Sequence, residues 1–140
     1  MKILLAVDGS RCTKRMLAYL VTHEEWLHPS NEFIVFHGVP ALPHRAAAFA
    51  TPGDIEAVYD SDAETVLKPV RTFLQRHGIQ ARFVHAVGRP AHEIARLAQR
   101  RRVDLIMIGS HGHGALGATV LGSVATQVVA LAKAPVLIVR

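Results

Sequence analysis

The chain has 140 residues, half of them hydrophobic, a formal charge of +5 and an isoelectric point near 10.0. This is enough for one domain, residues 1–140, to bury a core without disulfides or metals, and the single cysteine, Cys12, excludes an intramolecular disulfide. No apolar run approaches the roughly 20 residues of a bilayer span, and Ile3-Leu4-Leu5-Ala6-Val7 is followed at once by Asp8 rather than by a cleavage region, so a cytoplasmic protein without membrane or targeting segment is expected.

In chain order, Ile3 to Val7 reads as a short buried strand, followed by a turn at Asp8-Gly9-Ser10 and a helix marked by Met16, Leu17, Leu20 and Val21. Cys12 lies at the predicted start of that helix among Arg11, Lys14 and Arg15, a setting that favours a thiolate; the simpler reading is an ordinary small residue, since no partnered base is evident. Phe33-Ile34-Val35-Phe36 is a second strand. Gly38 to Gly53, with Pro40, Pro43 and Pro52, reads as a long loop.

Val66, Val70, Phe73 and Leu74 mark the next helix; Pro69 inside it is expected to kink it, and Gly78 to end it. Phe83-Val84 is a third strand, and Pro90 suits the first turn of a helix carrying Ile94, Leu97 and Ala98. The run Arg100-Arg101-Arg102 is explained by a solvated helix end. Leu105 to Ile108 is a fourth strand, Val124, Val128 and Leu131 mark a last helix, and Pro135 separates it from the strand Val136-Leu137-Ile138-Val139.

Strands alternating with helices through right-handed crossovers give a parallel sheet covered on both faces, the doubly wound α/β class. In such sheets ligands bind beyond the carboxyl ends of the strands, where the winding direction reverses. Function is therefore expected after strands, at Asp8-Gly9-Ser10, Gly38-Val39, Gly88-Arg89-Pro90 and from Gly109 onward. The basic charge alone suits nucleic acid, but the cations are scattered, aromatics are few and no binding motif is present. Among nine histidines only His111-Gly112-His113 has ligand-like spacing, and it is embedded in glycines.

The most informative stretch is Gly109 to Ser123, which contains five glycines and leads from a strand into a helix. Such density costs chain entropy and makes sense where backbone must turn sharply or approach a ligand; successive N–H groups can form an anion-binding concavity. At Gly122-Ser123, backbone donors, the Ser123 hydroxyl and the positive end of the helix dipole would surround a phosphate. No Asp or Glu follows Asp104. Gly112-His113-Gly114-Ala115-Leu116-Gly117 satisfies GxGxxG but lacks the early position and the acid about 20 residues on that a dinucleotide fold requires. A Walker A loop is excluded because no GK[ST] occurs.

The spacing Gly109-x2-Gly112-x9-Gly122-Ser123 resembles the ATP-binding signature of the universal stress protein family. Ile3 to Ser10, Gly88-Arg89-Pro90 with Ile94, and Asp104 to Gly112 resemble its opening strand and turn, its GxP helix start, and its fourth strand and loop. The resemblance spans nearly the whole chain. It implies a five-stranded parallel sheet of order 3-2-1-4-5, a homodimer, and bound ATP or AMP. The nucleotide-binding positions it implies are Ala6, Val7, Asp8, Gly38, Val39, Ile108, Gly109, Gly112, His113, Gly122, Ser123 and Val124. The resemblance places Asp8 at an acidic position near ribose and phosphates and implies that it orients Mg or Mn; the alternative is a residue that caps the first helix or its turn. His37-Gly38 departs from the family's His-Val pair, which removes an apolar contact with adenine, and His37 reads as a hydrogen-bonded, partly buried histidine.

The function expected from this reading is a nucleotide-sensing regulatory protein rather than an enzyme. A slow metal-dependent ATP hydrolase using Asp8 is one alternative, but no water-activating base and transition-state arginine stand at recognisable positions. A nucleic-acid module is the other. The apolar strand Val136 to Val139, placed at a sheet edge, is expected to pair with a second copy; the alternative is cover by the last helix and a loop.

Overall fold

Strand β1 (Lys2–Ala6) occupies the centre of the computed structural model, which describes residues 1–111 and 121–140. It is followed by α1 (Arg11–Thr22), a 3-10 turn (Glu24–Leu27), β2 (Glu32–Val39), α2 (His44–Ala47), α3 (Pro52–Arg76), β3 (Ala81–Val87), α4 (Pro90–Arg101), β4 (Leu105–Gly109), α5 (Ser123–Leu131) and β5 (Val136–Val139). All neighbouring strands pair in parallel, in the order β3-β2-β1-β4-β5.

Successive residues of a strand point to opposite faces, so a strand covered on both sides must be apolar throughout. On one face Ile3, Leu5 and Val7 join Met16, Leu17 and Leu20 of α1 and Leu67, Val70 and Leu74 of α3. On the other, Leu4 and Ala6 join Ala91, Ile94 and Ala98 of α4 and Ala125 and Val128 of α5. Ile3, Leu4 and Leu5 are fully buried, and each such side chain stabilises the fold by about 1.5–3 kcal/mol through removal from water. Among the described residues no helix is long and apolar enough to cross a membrane.

Two expectations need correction. The stretch 38–53 is not one long loop, because β2 runs on to Val39 in register with Val87 and α2 interrupts the remainder. β3 covers Ala81–Val87, well beyond Phe83-Val84; as an edge strand with one solvated side it carries Arg82 and His85, which mask it as an apolar run. Pro69 lies inside a helix as expected, since α3 runs from Pro52 to Arg76. Pro69 and Thr65, whose carbonyl loses its helical partner, are both exposed, so that carbonyl is open to solvent while buried Leu67 and Val70 hold the helix to the sheet.

Both ends of α3 are tied down. Gly78 adopts φ +69° and donates to the Gln75 carbonyl while Ile79 donates to that of Leu74, satisfying two terminal acceptors. At the start, Thr51 Oγ1 accepts from Asp54 N–H and Asp54 Oδ2 accepts from the amide and hydroxyl of Thr51. Those bonds, the hydroxyl's first, hold the Asp54 carboxyl below its ordinary value of 3.8. A depressed folded value means the stabilisation is complete above the unfolded pKa and is lost as pH falls through the folded one. The protection factor of the Thr51 amide, its exchange relative to the intrinsic rate at the same pH, should therefore be high at neutral pH and fall in acid below the ordinary aspartate range, whereas an Asp54→Ala variant should show low protection at both.

Candidate functional site

The winding reverses between β1 and β4: α1, after β1, covers one face, whereas α5, after β4, covers the other. The divergence opens a crevice at the carboxyl ends of these two strands, the position where doubly wound sheets hold ligands. Ala6 and Val7 form its floor. Both are buried; Val7 N–H donates to the Phe36 carbonyl, and the Val7 carbonyl accepts from His37 Nδ1 at 2.8 Å. His37 is thus the buried, hydrogen-bonded residue expected of it.

Asp8 stands at the rim with its Oδ1 accepting from Ser10 N–H at 2.9 Å and from the Thr13 hydroxyl at 2.8 Å. Thr13 Oγ1 in turn accepts from Asp8 N–H, and the Ser10 hydroxyl caps α1 through Thr13 N–H. Gly9 closes this turn at φ +77°, in the left-handed region that favours glycine. The turn-capping role of Asp8 is therefore realised by one oxygen of its carboxylate.

On the β4 side, Ser110 is a junction that the sequence reading did not single out. Its N–H donates to the Val139 carbonyl of β5 and its carbonyl accepts from Gly122 N–H, both at 2.8 Å. Its hydroxyl lies 3.0 Å from His111 Nδ1 and 3.9 Å from Cys12 Sγ. Ser10 Oγ donates to the His111 carbonyl, joining the two rims. Ser110 is buried, and His111 Nε2 is buried without a hydrogen-bond partner among the described residues. A serine directly after a strand-ending glycine was the available signal, but only the fold reveals that four segments meet there.

Gly122 is the N-cap of α5 at φ −59°, ψ 153°, a conformation open to any residue, and its N–H is already used by Ser110. The donors left for an anion are the first amides of α5, which have no intrahelical acceptor, together with the Ser123 hydroxyl; Ser123 is exposed and Val124 lies behind it. Gly112 and His113 lie outside the described residues. Ile108 and Gly109 end β4 opposite Ala6, so Ala6, Val7, Asp8, Ile108 and Gly109 are brought together, with the start of α5 tied to them through Ser110.

Gly38 and Val39 end β2, on the other side of β1. Gly38 has a structural reason to lack a side chain. A Cβ there would lie 2.9 Å from Pro90 Cβ and 3.0 Å from Pro90 Cα, so the first turn of α4 occupies the space. Gly109 is similar: a Cβ would meet Cys12 Cβ at 2.7 Å and the Cys12 carbonyl carbon at 2.9 Å. Cys12 is thereby a packing partner of β4. Among the described residues no group of three or more His, Cys, Asp or Glu is placed to hold a metal.

The model of the Universal stress protein family matches residues 1–140. The universal stress protein in the QAH/OAS sulfhydrylase 3′ region of Thermus aquaticus is 49% identical over 139 residues, 99% of this chain and 97% of that one. Among solved structures, MJ0577 of Methanocaldococcus jannaschii superposes with a TM-score of 0.82 at 26% identity, covering 99% of this chain and 94% of that one. A universal stress protein family member from Arabidopsis thaliana, solved with AMP bound, superposes with a TM-score of 0.71 at 18% identity over 99% of this chain and 90% of that one.

The close approach of β4 to α1 predicts that Gly109→Ala lowers stability by about 1–3 kcal/mol in denaturant unfolding, because backbone atoms of Cys12 must move. Gly53→Ala, where the nearest atom to a new Cβ is 3.9 Å away, should be neutral or slightly stabilising. Equal midpoints for the two variants would refute the steric argument.

Proposed function

The chain belongs to the universal stress protein family, and on that premise we propose that residues 1–140 form a single cytoplasmic domain that binds ATP or AMP in the β1–β4 crevice and works as a regulatory switch rather than an enzyme. The observation that carries this reading is the juxtaposition of the α5 amino terminus with Asp8 across the switch point. The first supplies positive donors for phosphate, the second a carboxylate suited to ribose hydroxyls or to a phosphate-borne cation. A site with one rim carboxylate suits magnesium or manganese that arrives with the nucleotide, Asp8 being its protein ligand.

Backbone geometry supports an adenine position at the end of β2. A parallel strand presents the N–H and C=O of every second residue to the same neighbour. The Phe36 carbonyl bonds β1, so the polar groups of Gly38 face the same way, past the point where β1 ends. The Val39 carbonyl accepts from Gly88 N–H on the other side and keeps a second lone pair. Gly38 thus offers adenine edges a donor and an acceptor although it has no side chain. Occupancy would link segments after β1, β2 and β4, and that linkage is the proposed switch.

Substitution of Gly122 by valine separates fold from ligand, since its backbone angles suit valine while a branched side chain would crowd the phosphate. Calorimetry should show ATP and AMP binding to the wild type and a loss of roughly 10- to 100-fold in Gly122→Val, the equivalent of one charge-assisted hydrogen bond. Unchanged affinity in a folded variant would refute the phosphate assignment.

The same reading extends to assembly through β5. The opposite edge, β3, is guarded: His85 pairs with Asp60 of α3 at 3.2 Å, and Arg71, bound by Glu64 through two hydrogen bonds, lies over Phe83 at 4.6 Å. β5 consists of Val136, Leu137, Ile138 and Val139 and carries no charge along its length. Two-fold pairing with a second copy would satisfy its outer backbone groups. Sedimentation should therefore report dimers for the wild type and monomers for Ile138→Lys; a monomeric wild type at micromolar concentration would exclude this interface.

A further inference from the structure

A second concavity lies at the other end of the sheet. The starts of β1, β2 and β3, the turn from α3 into β3 and the end of α4 enclose an open groove of about 960 Å³. It is separated from the crevice by the length of β1, on the order of 17 Å for five residues. Its floor includes the largely buried Phe33 and Ile79, and its walls carry Lys2, Arg82 and Arg101. Against these three permanent cations the lining holds one carboxylate, Glu32.

Among the described residues only one of the three cations, Lys2, has an internal ion pair. Lys2 Nζ donates to the Arg101 carbonyl at 3.2 Å and stands 4.0 Å from Glu32, which positions the ammonium without neutralising the groove. Asp104, just outside, accepts from the Lys2 backbone N–H. The side chains of Arg82 and Arg101 are exposed and, among the described residues, make no hydrogen bond or ion pair. The apolar floor is already buried, so what the groove presents to solvent is its excess of positive charge, which a partner carrying carboxylates relieves.

From this we propose that the groove binds an extended acidic segment of a partner protein, with carboxylates at alternate positions along one face. The spacing suits this occupant. Lys2 aligns with Glu32 whereas Arg82 aligns with Ile34, so the two cations lie two strands apart and two residues out of register, about 12 Å between backbones, and carboxylates four residues apart on one face of an extended chain are separated by about 13 Å. Single-stranded nucleic acid would want exposed aromatic platforms, and the one aromatic ring in the apolar floor, Phe33, is 7% exposed. The proposal is independent of the nucleotide reading, because none of its residues lines the crevice.

The test uses the full chain and a dye-labelled peptide of Glu-Val repeats, with a dye-labelled Gln-Val peptide and a dye-labelled oligothymidylate as comparisons, followed by fluorescence anisotropy at low and at moderate salt. Wild type should bind the glutamate peptide, bind the glutamine peptide at least about tenfold more weakly, and lose affinity as salt rises. Arg82→Glu with Arg101→Glu should abolish glutamate-peptide binding while ATP affinity stays at the wild-type level; Arg82→Gln with Arg101→Gln gives the same comparison if charge reversal disturbs folding. No binding by wild type, equal binding by the variants, or tighter arginine-dependent binding of oligothymidylate than of the peptide would overturn the assignment.

Discussion

Burial of β1 on both faces is the constraint from which the rest of the architecture follows. A strand with Ile3, Leu4 and Leu5 wholly out of water needs helices above and below it. Because crossovers between parallel strands are right-handed, helices reach both faces only if the chain winds outward from β1 in one direction and then in the other. The reversal at β1 and β4 is therefore the consequence of a hydrophobic requirement, and the crevice at their carboxyl ends is the consequence of the reversal.

The edges of that crevice are set by backbone contacts as much as by side chains. Gly109 lets β4 approach Cys12, Gly38 lets β2 approach Pro90, and Ser110 ties the end of β4 to β5 and to the start of α5. Each contact brings a helix amino terminus to the same rim. The polar groups there are anchored before any ligand arrives: Asp8 is oriented by Ser10 and Thr13, and His37 by the Val7 carbonyl. Such anchoring lowers the ordering cost of binding, which is the usual route from modest donors to useful affinity.

The two ends and the two edges of the sheet have different chemistry. One end gathers helix amino termini around a carboxylate, and the other gathers lysine and arginine over an apolar floor. At the β3 edge the Arg71 guanidinium holds the Glu64 carboxyl below its ordinary value and is itself raised by Glu64, a bidentate pair that lies beside Phe83. Being solvent-exposed, the pair contributes more to keeping the edge polar than to holding the fold together. Among the described residues, the β5 edge has no comparable guard.

Strand and helix order, the doubly wound class and the strand-end positions of Asp8 and Gly109 were all legible in the sequence, because two-sided burial leaves unbroken apolar runs and caps leave local residue signatures. Gly78 and Pro90 announced their helix boundaries for the same reason. The extent of β3 was not legible, since an edge strand with one solvated side carries Arg82 and His85 where a central strand carries valine. The helix around Pro69 was legible from Val66, Val70, Phe73 and Leu74, but how it tolerates the proline depends on that residue facing water while Leu67 and Val70 face the sheet. The reasons for Gly38 and Gly109 lie with Pro90 and Cys12, tens of residues away in the chain, and the role of Ser110 lies in partners from β5, α1 and α5. Local pattern determines which elements form and where they end; only their packing decides which backbones must touch, and so which small or polar residues the site cannot do without.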